Sequence, residues 1–173
     1  MSEEPALRPT QMDRASFTAA FGPVFEHSPW IAEAAFDAGL PPDADTAQGL
    51  HRALCAALRP ADAERKLALI RAHPDLAGRL ARAGRLTADS TREQASAGLD
   101  QLTDAERARF TELNDAYRTR FGFPFIIAVK GRSKAEILAA FQERLGHDAE
   151  TERATALAQV ERIALLRLKD LLP

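Results

Sequence analysis

The sequence predicts an all-α protein, a single-domain helical bundle with one buried extended connector. Apolar residues recur at intervals of three and four along most of the chain, the period of a helix that packs one face against a core. Ser, Thr or Asp precedes most of these stretches, and Gly or Pro follows them, as helix starts and ends require. Only residues 121–131 have the continuous apolar, β-branched character of a strand, and the chain offers them no partner strand. We therefore expect this segment to be an extended connector inside a helical domain.

Length, charge and composition limit the kinds of protein that this chain can be. A chain of 173 residues is most simply one domain, predicted to span 1–173 with a flexible lead at 1–12. The net charge is −2 and basic and acidic residues are interleaved, so we expect no nucleic-acid or membrane partner. The N-terminus lacks an apolar targeting segment and no run is long enough to span a membrane, which predicts a cytoplasmic protein. The lone Cys55 lies in an apolar run and is predicted to be a small core residue.

Four helices are predicted in the first part of the chain. Asp13 or Ser16 is expected to cap the first of them, before a Gly-Pro pair ends it. Ser28 is the expected N-cap of the second, with Pro29 at its first helical position. The four predicted helices lie at about 13–21, 29–38, 46–58 and 61–72.

Four more helices are predicted in the second part, and capping boxes mark three of their starts. Thr103 and Ser133 are each followed by Glu three residues later, the spacing in which each side chain binds the other residue's backbone N–H. Ser90 and Glu93 have the same spacing, so Ser90 is predicted to cap the helix after the central His-Pro pair. These helices are predicted to begin at about 90, 103, 133 and 150, and the last ends near 172.

His73 is the first candidate for a functional residue. Pro74 disfavours helical geometry at the residue before it, so His73 is expected at the C-terminal end of the fourth helix. The negative end of the helix dipole favours an imidazolium there, and a protonated imidazole beside a rigid proline is a suitable proton donor near neutral pH. A structural or exposed histidine is the alternative interpretation.

Glu93 and Gln94 are the next candidates. The capping box with Ser90 is a purely structural explanation for Glu93. Near a helix start its carboxylate would also stay ionised, and the Gln94 amide adds one donor and one acceptor. If the two helix ends meet, an imidazolium faces a carboxylate across a small polar site. The sequence leaves that meeting open.

Arg167 lies at the edge of the apolar ridge of the last helix. Arginine is rarely placed against a core without a partner, so Arg167 is a third candidate. The alternative is that Arg167 forms a structural ion pair, or that the aliphatic part of its side chain covers apolar surface. Arg162 is flanked by polar residues around the helix and is expected at the surface. The four histidines lack the spacing of metal ligands and there is no cysteine cluster, so no metal site is predicted.

Five segments occur in one order along nearly the whole chain. They are FEHSPW at 25–30, LIRAHPDLA at 69–77, STREQASAGL at 90–99, FGFPFIIAVKG at 121–131 and IALLRL at 163–168. His-Pro-Asp-Leu alone would be weak evidence for a family, but the set of His-Pro, Ser-x-x-Glu-Gln and FGFPF-I-x-A-V-K-G is specific. With this set the chain resembles the OHCU decarboxylase family of urate catabolism, where OHCU is 2-oxo-4-hydroxy-4-carboxy-5-ureidoimidazoline.

The resemblance implies an all-α, commonly homodimeric enzyme that binds a small ureidoimidazoline and uses no cofactor. The implied catalytic residues are His73, Glu93 and Arg167, and the implied substrate-binding residues are Pro74, Ser90, Gln94 and the backbone of Phe125, Ile126, Ile127, Ala128 and Val129. The match of Arg167 rests on the short closing Arg-Leu pair.

The reaction implied by the resemblance is decarboxylation of OHCU to (S)-allantoin. The ring C=N next to the carboxylated carbon takes up the electrons left by CO₂, so the enzyme need only orient the ring, stabilise charge and deliver a proton. His73 would transfer the proton, Glu93 would order the hydroxyl and N–H groups, and Arg167 would bind an anionic oxygen. Which of His73 and Glu93 takes the first proton is open. A non-catalytic helical interaction module is the alternative, because it would keep the core and the caps without needing His73.

Overall fold

The computed structural model describes residues 6–173, and every regular element in this part is helical, which confirms the predicted all-α class. Its α-helices are α1 (Arg14–Phe21), α2 (Trp30–Asp37), α3 (Ala47–Leu58), α4 (Ala63–Ala72), α5 (Arg79–Arg82), α6 (Ala88–Ser96), α7 (Asp104–Phe121), α8 (Lys134–Leu145) and α9 (Ala149–Leu171). Short 3₁₀ turns form at Pro9–Gln11, Gly22–Val24 and Pro42–Asp45. Residues 1–5 of the predicted flexible lead lie outside the described residues. None of the helices in the described part is both long and apolar enough to cross a membrane.

Four of the nine α-helices in the described part begin at the side chains that the sequence predicts. The Asp13 carboxylate accepts a hydrogen bond from the Ser16 N–H at 2.7 Å and caps α1, and Thr46 caps α3. Thr103 and Ser133 form the predicted capping boxes of α7 and α8. Each box satisfies two backbone donors within four residues, so the local sequence is enough to define these starts.

Two predicted caps are wrong. Helix α6 begins at Ala88, where the Thr87 hydroxyl accepts a hydrogen bond from the Ser90 N–H at 3.2 Å, so Ser90 lies inside the helix. The helix therefore begins three residues earlier than predicted, and Ser90 is buried within it. At α2, the Ser28 hydroxyl donates to the Glu26 carbonyl at 2.9 Å and makes no capping bond to the helix.

Replacing Thr87 by alanine is expected to destabilise α6 by about 1 kcal/mol, because the hydroxyl that caps the helix is lost. Hydrogen exchange of the amides of residues 91–96 measures this loss. Thr103→Ala is the matched control, with a loss of similar size expected in α7. Unchanged hydrogen exchange in Thr87→Ala, together with faster exchange in Ser90→Ala, would contradict the assignment of Thr87 as the N-cap of α6.

The described chain divides into two compact units. The first comprises the described part of Met1–Leu69 together with Glu161–Pro173, and the second comprises Ile70–Val160. Large apolar side chains fill the core of the first unit, each with at most 2% of its surface exposed. They include Phe17, Phe21, Phe25, Ile31, Leu50, Leu54, Leu58 and Leu168.

Aromatic rings make up much of the core of the second unit. Tyr117 of α7 packs edge-on against Phe125 and Phe141, with ring centroids 5.4 and 6.2 Å away. Phe125 and Phe141 stack on each other at 3.8 Å with 15° between their planes. Residues 124–129 belong to no helix or strand and residues 123–129 are buried throughout, which confirms the predicted connector. Its phenylalanines anchor it, because aromatic pairs in these geometries add to the free energy of apolar burial.

Cys55 lies in the core of the first unit, as predicted, with 2% of its surface exposed. Burial and the neighbouring Glu161 raise the pKa of its thiol to about 12. At pH 8 its thiolate fraction is therefore about 10³-fold lower than that of an ordinary thiol with a pKa near 8.5. We expect Ellman's reagent to label the folded protein much more slowly than the unfolded chain. Rapid labelling without unfolding would contradict the assigned burial.

Candidate active site

His73 lies directly after α4, where Pro74 was predicted to place it. The helix ends at Ala72, and the His73 N–H still donates to the Ile70 carbonyl at 3.2 Å. His73 is only 6% exposed. It is therefore a buried imidazole at a helix end, and the alternative of an exposed surface histidine is wrong.

Ser90, Glu93 and Gln94 lie inside α6 and share one side of it. Ser90 and Gln94 are four residues apart, and Glu93 is three after Ser90, so their side chains leave the helix in similar directions. Ser90 and Gln94 are buried and Glu93 is half-buried. Because Thr87 caps α6, the capping box no longer explains Glu93.

The Gln94 side chain bonds the loop that follows His73. Gln94 Oε1 accepts a hydrogen bond from the Ala77 N–H at 2.9 Å, and Gln94 Nε2 donates to the Asp75 carbonyl at 3.3 Å. Glu93 precedes Gln94, and His73 lies two residues before Asp75. One amide of α6 therefore links this helix to the loop that follows His73.

Two side chains of α7 hold the same loop, which we call the 75–77 loop. Asn114 Nδ2 donates to the Leu76 carbonyl at 2.9 Å, and Asn114 is 4% exposed. Arg118 Nε lies 2.9 and 3.1 Å from the two carboxylate oxygens of Asp75. Each residue of the loop is therefore bonded to α6 or α7.

Two non-glycine residues of the described chain have a left-handed backbone. The φ angle is +51° at Ala77 and +47° at His27. This conformation costs a residue with a Cβ about 1–2 kcal/mol, and it tends to persist at functional sites. Ala77 belongs to the 75–77 loop, and His27 follows Glu26, the ion-pair partner of Arg167.

Arg167 is buried in the first unit and pairs with Glu26. Arg167 Nη2 lies 2.8 Å from Glu26 Oε1, and the two residues are 5% and 2% exposed. Arg167 Nη1 also donates to the carbonyls of Pro23 and Val24, at 3.4 and 3.3 Å. This is the ion pair that the sequence left as an alternative. Arg162 is exposed, as predicted.

The connector is held by side chains of α8 and α9 that bond the backbone of Ile126 and of Ala128. Arg144 Nη1 donates to the Ile126 carbonyl at 2.6 Å, and Gln159 Oε1 accepts from the Ala128 N–H at 2.9 Å. Within the described residues, the N–H and the carbonyl of Ile127, which lies between them, make no hydrogen bond. Buried peptide groups are nearly always bonded, so Ile127 offers a backbone donor and acceptor to a ligand or to water.

A buried carboxylate fixes the arginine that holds the connector. Glu152 is fully buried and lies 2.8 Å from Arg144 Nε and 2.9 Å from His147 Nδ1. Tyr117 also donates its hydroxyl to Glu152, at 2.5 Å. Burial, followed by this bond, raises the pKa of Tyr117, so the hydroxyl stays protonated and remains a donor. The Arg144 guanidinium lies 4.4 Å from the centre of the Phe125 ring.

The family model described as OHCU decarboxylase matches residues 10–169, which include every predicted site residue. The chain belongs to the OHCU decarboxylase family. A relative from Halalkalicoccus jeotgali, named 2-oxo-4-hydroxy-4-carboxy-5-ureidoimidazoline decarboxylase, is 42% identical over 161 residues, which are 93% of this chain and 88% of the relative. The uric acid degradation bifunctional protein PucL of Bacillus subtilis is 43% identical over 162 residues, which are 94% of this chain and 31% of that longer protein.

A solved structure shows the same fold. The crystal structure of (S)-allantoin synthase matches with a TM-score of 0.75 and 35% sequence identity. The match covers 95% of this chain and 52% of that chain, so this chain spans about half of the synthase. The resemblance seen in the sequence motifs is therefore confirmed at the level of family and fold.

For this family member, sequence reasoning missed Glu26, Asn114 and Glu152 as site-supporting residues. Asn114 could have been noticed in the sequence, because it is a polar residue on the apolar stripe that Phe110 and Tyr117 define on α7. A polar residue on a buried stripe needs a partner, which predicts a bond without naming it. Glu26 left no such signal, since its partner lies 141 residues away in the sequence.

Proposed function

We propose that this protein decarboxylates OHCU to (S)-allantoin in the degradation of urate. Membership of the OHCU decarboxylase family carries the proposal. The Halalkalicoccus jeotgali relative is named for this decarboxylation, and the solved structure with the same fold is an (S)-allantoin synthase. The protein is accordingly a carboxy-lyase that acts on a small ureidoimidazoline.

The chemistry of OHCU defines what the protein must do. Breaking the bond from C4 to the carboxylate releases CO₂, and the electron pair forms a C4–C5 double bond while the ring imine nitrogen gains charge and a proton. C5 then gains a proton and the C4 hydroxyl loses one, which gives the carbonyl of allantoin. One proton is taken up overall. Its delivery to one face of C5 decides the handedness of the product.

We assign this proton transfer to His73, in line with the family resemblance. Burial of His73 and the link of its loop to α6 through Gln94 support the assignment. Glu93 is proposed to order the hydroxyl and ring N–H groups, and its half-buried carboxylate is compatible with such contacts. The role of Arg167, binding an anionic oxygen, stays a prediction.

The proposed binding residues are Pro74, Ser90, Gln94 and the backbone of Phe125, Ile126, Ile127, Ala128 and Val129. The N–H and carbonyl of Ile127 are best suited, because the Ile126 carbonyl and the Ala128 N–H already bond Arg144 and Gln159. Gln94 Oε1 and Nε2 each make one bond to the 75–77 loop, so the second N–H and the second lone pair of the amide are the groups proposed to contact the ureide.

We further propose, from the family resemblance, that the protein is a cytoplasmic homodimer whose residues 1–173 act as one functional domain. Light scattering of the purified protein tests the dimer. A monomeric mass at the concentration of the activity assay would contradict it.

A coupled assay tests the function. Uricase and hydroxyisourate hydrolase generate the unstable OHCU from urate, and its absorbance is followed with and without this protein. We expect decay that accelerates in proportion to the concentration of the protein. Decay at the spontaneous rate would overturn the proposal and would favour a non-catalytic helical module.

A further inference from the structure

The 75–77 loop is the structural support of the proposed catalytic histidine. Only Pro74 separates His73 from the loop, and proline restricts the backbone on both sides of itself. Any shift of the loop is therefore passed to His73 through one stiff residue. A displacement of about 1 Å at a reacting group can lower a rate by about 10²-fold.

The backbone of the 75–77 loop is strained. Ala77 has a left-handed backbone, which costs about 1–2 kcal/mol for a residue with a Cβ. A strained conformation persists only where surrounding bonds over-determine it. These bonds come from Gln94 on one side of the loop, and from Asn114 and Arg118 on the other.

Asn114 is the buried member of the α7 pair, and it occupies a position where an apolar residue would serve the core. It lies four residues after Phe110 on the buried stripe of α7, beside Leu113. Its Oδ1 atom is buried and bonds no described residue, and an unsatisfied buried acceptor costs about 1–3 kcal/mol. Packing alone would therefore favour an apolar residue at this position. The stabilising contact that asparagine makes instead is its hydrogen bond to the Leu76 carbonyl.

We infer that Asn114 is a positioning residue, which holds the Leu76 carbonyl and thereby fixes where His73 lies. The inference rests on the proposed role of His73 as the proton-transfer residue. Asn114 itself takes no part in the chemistry. It acts through the loop, so its loss lowers the rate of the chemical step more than the binding of substrate.

The test compares Asn114→Leu with the wild-type protein in the coupled assay. The leucine side chain suits the apolar stripe and removes the buried Oδ1, which offsets the loss of the donor to the Leu76 carbonyl, so the protein should still fold. We expect kcat to fall by about 10- to 100-fold while KM changes by less than about threefold, the pattern of a group that acts only on the transition state. The matched control is Thr103→Ala in the same helix, which weakens α7 but should leave both constants unchanged.

A second readout does not depend on activity. The imidazole C–H resonance of His73, assigned by its loss in His73→Gln, is expected to shift in Asn114→Leu and to stay in place in Thr103→Ala. Should Asn114→Leu fail to fold, Arg118→Met replaces it, because that side chain is largely exposed and holds the same loop through Asp75. A smaller fall in kcat and a smaller shift are expected there.

Two results overturn the inference. One is a folded Asn114→Leu, or Arg118→Met in its place, with wild-type kcat and an unmoved His73 resonance. The other is a change confined to KM. A wild-type protein that leaves OHCU decay unchanged would instead refute the proposed function, and the resonance would still report whether Asn114 sets the position of His73.

Discussion

Replacing His73 by glutamine is expected to lower kcat for OHCU decarboxylation by about 10²- to 10⁴-fold, the usual contribution of a general acid–base group. Glutamine keeps a polar side chain at a position that is only 6% exposed, so the fold should survive. The coupled assay at saturating OHCU gives kcat. His51→Gln is the matched control, because His51 bonds the Glu161 carbonyl in the first unit and has no proposed part in the reaction.

The outcome separates the role of the residue from the identity of the protein. A large loss in His73→Gln with wild-type rates in His51→Gln supports proton transfer by His73. A His73→Gln protein that is as fast as wild type would remove His73 from the reaction, while the family membership would stand.

Replacing Glu26 by alanine is expected to lower the free energy of unfolding by about 3–5 kcal/mol, because the buried Arg167 guanidinium loses its carboxylate partner. Denaturation followed by circular dichroism at 222 nm measures this loss. The double variant Glu26→Leu/Arg167→Met should recover most of the stability, since an apolar pair can replace a buried ion pair without net cost. Asp37→Ala, which breaks the exposed pair with Arg14, is the matched control and should change stability little.

The double variant also tests the role of Arg167. If it is stable and decarboxylates OHCU at the wild-type rate, the ion pair serves folding alone and the predicted catalytic role is wrong. If it is stable and inactive, the arginine is needed for the reaction. A double variant no more stable than Glu26→Ala would contradict the account of the ion pair.

Helix starts were predictable where they depend on residues that are close together in the sequence. The capping boxes at Thr103 and Ser133 lie within four residues, and α7 and α8 begin where they predict. The start of α6 was not predictable in this way, because Thr87 and Ser90 are both good N-caps three residues apart. Burial of one side of α6 favours the earlier start, and burial is a property of the tertiary structure that local spacing does not contain.

The position of His73 after its helix was predictable from the sequence, and the hydrogen bonds that hold the surrounding residues were not. Pro74 explains the position of His73, and the family motifs contain Glu93 and Gln94. That the Gln94 amide bonds the 75–77 loop depends on how the chain returns on itself, and so does the pairing of Glu26 with Arg167. The sequence contains these residues but does not state their partners.

The handedness of the product tests the central claim most directly. OHCU is generated from urate in the coupled assay, and circular dichroism follows the allantoin that forms with wild-type protein, with His73→Gln and without protein. The wild-type protein is predicted to yield (S)-allantoin faster than spontaneous decay, and the other two samples to yield racemic product. Racemic allantoin from the wild-type protein at the spontaneous rate would contradict the account.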